Sequence, residues 1–228
     1  KKKRPIALDE LEFLRRHTKR EVKITLPGPY MLTRASWIDP ISRAAYWNRE
    51  ELATEYVRLL REEIIQLRDA GASFIQLDEP TLTEVVYGEA SKQTFMCAAI
   101  FSKIDPKEEL SFATELINKT VKGIDGIRLG IHVCRGNWST REEALLKGDY
   151  KPLIPYFQEM KVKQFVLEFA TQRAGELSVF KDVSGIEELG LGVINPRTQN
   201  IESPDLIVRK AEEAVKYFDP DKIFLNPD

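Results

Sequence analysis

Cysteine is scarce in this chain of 228 residues, occurring only as Cys97 and Cys134. Two thiols cannot supply the disulfide framework that staples small secreted domains, so a reducing, cytoplasmic setting is expected. Long apolar runs are lacking: no stretch approaches the roughly 20 residues needed to span a bilayer, and no secretory signal pattern is present, so no membrane partner is expected. A surplus of one charge is lacking too. Lys and Arg number 34 against 36 Asp and Glu, for a formal net charge of −2, which argues against a polyanion-binding surface and against nucleic acid as a partner. The one basic run, KKKR at residues 1–4, reads as a solvated chain end. Linkers rich in Pro, Gly or Ser are missing, as are low-complexity tracts, and one domain over residues 1–228 is expected.

What is present is an alternation of short apolar runs and longer amphipathic ones, in a chain whose 43% hydrophobic content can bury one sizeable core. Strands are expected over residues 22–29, 74–80, 128–134, 164–170, 191–195 and 222–226. Helices are expected over residues 49–70, over 106–121 behind an Asp105 cap, and over 203–218, where Ser203 precedes Pro204. One or two more fall within residues 140–160, and a short one near 184–189. Strands separated by helices imply a parallel sheet in an α/β domain. Asp78, His132, Cys134, Glu168, Asn195 and Asp228 all fall at the C-terminal ends of these strands. Polar ends on six consecutive strands favour a (β/α)8 TIM barrel over a doubly wound sheet, whose ligand sits at a single switch point. Six units are two short of eight, and the chain opens on a charged segment and stops on a strand, so the barrel is expected to be incomplete at both ends.

The most informative stretch is IHVCRGNW, residues 131–138. In a strand, alternate side chains share a face, so His132 and Cys134 project to one side. The next apolar run, QFVLEFA, carries Glu168 at the corresponding place, where a carboxylate is costly without a cation or a hydrogen-bond network. Imidazole, thiolate and carboxylate together suggest zinc. The plainer alternative is a half-buried histidine beside a structural cysteine. Asp78 and Glu79 alternate faces, so one points into the pocket. Asp78 is the candidate for substrate, with Glu79 capping the next helix or pairing with Arg61 or Lys103. Cys97, within TFMCAAIF, reads as a core thiol. Arg135 and Trp138 fall in a loop where function concentrates, although an arginine covering a loop carbonyl is equally ordinary. Asn195 and Arg197 either face the pocket or shape a turn with Pro196.

With QLDEP at residues 76–80, HVC at 132–134, Glu168, GLGV at 190–193 followed by NPR and IES, and LNPD at 225–228, the chain resembles the catalytic barrel of cobalamin-independent methionine synthase and its single-barrel relatives. The resemblance covers nearly the whole chain, in family order. It implies a zinc-dependent methyltransferase that converts homocysteine to methionine. It also implies that His132, Cys134 and Glu168 bind zinc, together with a cysteine expected directly after Asp228. Asp78 would bind the substrate's α-amino group, and Glu168 would border the substrate as well as the metal.

One departure concerns the methyl donor. In the folate-dependent enzymes a Trp that packs on the pterin follows a G-P-x-x-x-L segment; here the segment is GPYMLTRASW, with Arg34 near that place and Trp37 displaced. A corrinoid or simpler donor is therefore expected to serve better than a folate. Zinc-dependent alkyl transfer to another thiol, as in the lyases that join coenzyme M to epoxides, is the nearest alternative. A metal-free barrel of the uroporphyrinogen decarboxylase type and an inactive barrel are the others.

Overall fold

Alternating apolar side chains set the strands, and the computed structural model, which describes residues 2–88, 105–136 and 145–228, places six of them in one sheet. They are β1 (Lys23–Pro27), β2 (Phe74–Asp78), β3 (Arg128–Val133), β4 (Gln164–Glu168), β5 (Glu188–Ile194) and β6 (Ile223–Pro227). Their spatial order is their sequence order, and every neighbouring pair is parallel. Helices fill the crossovers: α1 (Leu8–His17) precedes β1, α2 (Pro29–Ser36) and α3 (Arg49–Asp69) follow it, and α4 (Thr81–Tyr87) and α5 (Pro106–Val121) follow β2. α6 (Ile154–Glu159) precedes β4, and α7 (Pro204–Ala214) lies between β5 and β6. This is the order of six consecutive units of a (β/α)8 barrel, with β1 and β6 at the two ends of the sheet rather than paired with each other.

The core lies between the sheet and its helices. Ile24, Ile75, Leu77, Ile131, Phe165 and Leu191 are buried there, on the outward face of the strands. Register then fixes what the inward face presents. One level joins Thr25, Gln76, Gly130, Gln164 and Glu188; the next joins Pro27, Asp78, His132, Val166, Gly190 and Phe224. Gly130 is small because a Cβ there would lie 2.7 Å from the Phe74 ring.

The caps expected at Asp105 and Ser203 form, and Asn48 adds one at α3. Asn48 accepts from Glu51 N–H at the start of α3, Asp105 from Lys107 N–H at α5, and Ser203 from Leu206 N–H at α7. The helix expected near residues 184–189 is a correction: those residues approach and enter β5, and short 3-10 turns form earlier, over Gln172–Ala174 and Leu177–Phe180. Gly185 sits at φ +83, a left-handed conformation that interrupts a helix. Of residues 140–160, the described part forms a 3-10 turn over Lys151–Leu153 running into α6. Three helices were not expected: α1 in the charged opening segment, α2 and α4. α2 begins at Pro29, where the apolar run VKITLPGP reads as strand to its end.

Candidate functional site

The site is built at the C-terminal end of β2, β3 and β4. Asp78 ends β2 and is paired in register with His132 of β3. Its Oδ1 lies 3.1 Å from His132 Nδ1 and also accepts from Gln76 Nε2 at 2.8 Å. Cys134 is buried just past β3, two residues on from His132 and so on the same side of the strand end. Burial opposes a charge on His132, but Asp78 and Cys134 outweigh it and hold the ring well above the usual imidazole range, at about 10. The Thr83 hydroxyl of α4 donates to the Cys134 carbonyl and so ties the next crossover to this point.

Glu168 ends β4 and is fully buried. Its Oε2 accepts from Arg135 N–H at 2.8 Å, and its Oε1 is paired with the Arg173 guanidinium. The Tyr150 hydroxyl donates to the Val133 carbonyl at 2.7 Å and accepts from Glu168 N–H at 2.9 Å, pinning β4 to β3. Asp228 closes the third side. Its carboxylate accepts from Phe169 N–H and Ala170 N–H, both at 3.0 Å, on the residues that follow Glu168. Burial, and then the Glu168 charge, push its carboxyl up to about 6.

Glu79 points the other way, as alternation demands. It caps neither the next helix nor pairs with Arg61, which instead binds the carbonyls at the end of α5. Its two oxygens accept from Tyr30 N–H and Met31 N–H, each at 2.8 Å, at the start of α2, where Gly28 offers no capping side chain. Burial pushes its carboxyl up to about 8 against those two bonds. A Cβ on Gly28 would lie 2.2 Å from Glu79 Oε1, so this clamp needs glycine there.

The structure therefore pairs Asp78 with His132, buries Cys134 just past the same strand, and sets Glu168 one strand away, engaged by Arg173. Among the described residues, no three His, Cys, Asp or Glu side chains are gathered into a group that could hold a metal ion. The chemistry of the donors nevertheless fits zinc. A histidine whose Nδ1 is tied to a carboxylate has the outer support that metal-bound imidazoles usually have. Arg135 takes the ordinary role, covering the carbonyls of Gly148 and Ala174. Asn195 shapes a turn, its Oδ1 accepting from Arg197 N–H at 3.1 Å. Cys97, Lys103 and Trp138 lie outside the described residues. Gln76, Tyr150 and Arg173 carry the site's support and had no sequence signal of their own, beyond the place of Gln76 two residues before Asp78. No helix among the described residues is long and apolar enough to cross a membrane.

The family described as cobalamin-independent synthase, catalytic domain, matches residues 1–228. A methionine synthase of Pyrococcus abyssi is 32% identical over 227 residues, 99% of this chain and 55% of that protein. One of Thermococcus kodakarensis is 30% identical over 98% of this chain and 55% of its own length. The chain thus spans about half the length of these relatives. Among solved structures, a B12-independent methionine synthase of Shewanella sp. W3-18-1, in complex with selenomethionine, superposes with a TM-score of 0.76 at 21% identity, covering all of this chain and 60% of that one. A methyltransferase from Methanosarcina mazei gives 0.64 at 14% identity, covering 98% and 58%.

Proposed function

The chain belongs to the cobalamin-independent methionine synthase catalytic-domain family, and from that premise we propose that residues 1–228 are a single catalytic barrel domain that methylates the thiol of homocysteine to give methionine. Membership sets aside the uroporphyrinogen decarboxylase type. The observation that carries the reading is the Asp78–His132–Cys134 cluster at the mouth of the sheet.

In this reading His132, Cys134 and Glu168 hold zinc, with a fourth ligand from a cysteine following Asp228. When bound, zinc supplies deprotonation of a thiol whose free pKa of about 8.5 leaves it mostly unreactive at neutral pH. The chain's own residues do the rest. Asp78 holds the imidazole through Oδ1 and offers its remaining oxygen to the substrate ammonium, a charge-assisted bond that fixes the amino acid beside the metal ligands. Glu168 would be the carboxylate ligand, with the Arg173 guanidinium that it meets in this structure as its neighbour. The partners are homocysteine and a methyl donor, with a corrinoid or simpler donor favoured over a polyglutamylated folate because Arg34 is buried in α2 near the place of the pterin-stacking tryptophan. A cytoplasmic location accords with the scarcity of cysteine.

Metal analysis of the intact protein tests the reading. About one zinc per chain is expected, and it should be lost in Cys134→Ser. Zinc that survives Cys134→Ser unchanged sinks the ligand assignment. Supplying homocysteine with each donor in turn, and following methionine, tests the reaction. Rapid turnover with methyltetrahydrofolate would refute only the donor preference.

A further inference from the structure

Behind Asp78 the inward face carries two polar groups, Lys23 and Gln76, that the proposed reaction does not use. Lys23 Nζ donates to Gln76 Oε1 at 3.1 Å, Gln76 Nε2 donates to Asp78 Oδ1 at 2.8 Å, and Asp78 Oδ1 meets His132 Nδ1 at 3.1 Å. Gln76 and Asp78 are two apart on β2 and therefore share the inward face, while Lys23 reaches across from β1. Gln76 is buried, and Lys23 is steadied by the Phe74 ring, 5.6 Å from its Nζ.

The direction of the Gln76 amide is fixed by charge. Turned by half a revolution, it would set its carbonyl oxygen against the Asp78 carboxylate and its NH2 against the Lys23 ammonium, two repulsions in place of two bonds. The ammonium therefore points the amide, and the amide points the carboxylate. With Oδ1 held by Gln76, His132 meets an acceptor in a fixed place. A buried glutamine that merely satisfied its own hydrogen bonds would need no such order.

We propose that Gln76, aimed by Lys23, is a positioning residue that orients Asp78 and, through it, the His132 imidazole toward the metal site. For its metal arm this rests on the zinc reading above; its orientation arm does not. The first measurement uses the metal-free full-length protein labelled with 15N-histidine. Within these 228 residues there are two histidines, His17 and His132, so the hydrogen-bonded Hδ1 resonance of His132 can be assigned by its loss in His132→Asn. Gln76→Leu should shift and broaden that resonance. The second measurement is zinc affinity by chelator competition. Gln76→Leu should weaken it about tenfold, the low end for an outer-support residue. Lys23→Met, at an exposed position, should weaken it about threefold with an unchanged melting temperature.

The decisive comparison is coupling. In an Asp78→Ala background, adding Gln76→Leu should change zinc affinity by less than about twofold, because its route to His132 is already gone. An equal tenfold loss in that background overturns the proposal, as does an unchanged Hδ1 resonance in Gln76→Leu. If Gln76→Leu does not fold, the same two readouts on Lys23→Met decide the matter, and no change in either one overturns it. If the unsubstituted protein takes up no zinc, the metal reading fails and the Hδ1 resonance alone decides this proposal.

Discussion

The two faces of the sheet are made from the same six strands and obey different rules. Outward, Ile24, Leu77, Ile131 and Leu167 are buried against helices, held by non-directional apolar contact that is satisfied by about the right volume in about the right place. Inward, the same strands carry Gln76, Asp78, His132, Gln164, Glu168 and Glu188, where barrels of this kind more often pack branched aliphatics. Each of these groups needs a partner of stated chemistry. Glu188, buried, has Arg128 Nε at 3.1 Å, Lys163 Nζ at 3.4 Å and Gln164 Nε2 at 3.3 Å. Glu168 has Arg173 and the Arg135 N–H. The outer face makes the barrel stand, and the inner face gives it chemistry.

That separation can be broken by substitution. Ile131→Ala, on the fully buried outer face of β3, should lower stability by ~2–5 kcal/mol in denaturant unfolding while leaving the proposed zinc uptake of the folded protein unchanged. A loss below ~1 kcal/mol would show that the outer face is not the core. Asp78→Asn, one level along the inner face, should act the other way. If Asp78 binds the substrate ammonium as proposed, losing its charge costs ~1.5–3 kcal/mol, so the KM for homocysteine should rise about tenfold or more with little change in melting temperature. An unchanged KM returns Asp78 to the support of His132 alone.

Gly28→Ala sharpens the comparison at the junction of the two faces. The added methyl meets the Glu79 side chain, which is pinned by two N–H bonds and cannot swing aside, so ~1–3 kcal/mol of stability should go. Thermal unfolding reads this, and a variant as stable as the unsubstituted protein would show that the clamp on α2 is dispensable. The smallest effect is expected at the solvent-facing end of the inner network. Lys163 is 46% exposed, and its pair with Glu188 is one of several, so Lys163→Ala should cost less than ~1 kcal/mol. A larger loss would mean that Glu188 depends on Lys163 rather than on Arg128 and Gln164.

The strands were legible as short apolar runs, α3 by the helical spacing of its apolar residues, and α5 and α7 because Asp105 and Ser203 announce them. Helix α2 was hidden behind an apolar run that continues into it, and the expected helix near residue 184 yielded to Gly185 and the pairing of β5. In the site, His132, Cys134, Glu168 and Asp78 stood out because polar groups at the ends of apolar strands are costly and ask for a reason. Arg173, Tyr150 and Gln76 did not, since arginine, tyrosine and glutamine in such settings have many ordinary uses.

By itself the sequence determined the parallel α/β order, the outward core and the level at which the reactive groups stand, because strand periodicity and cap chemistry are local and act between near neighbours in the chain. Only the tertiary structure decided that Glu79 turns back to cap α2, that Glu168 is met by Arg173, and that Lys23, Gln76, Asp78 and His132 form one hydrogen-bonded series. Those four residues are spread over three strands, separated by crossovers of about 50 residues. Their meeting is set by the register of strands that no local pattern specifies, and by the directionality of hydrogen bonds, which selects among side chains only after packing has brought them within reach.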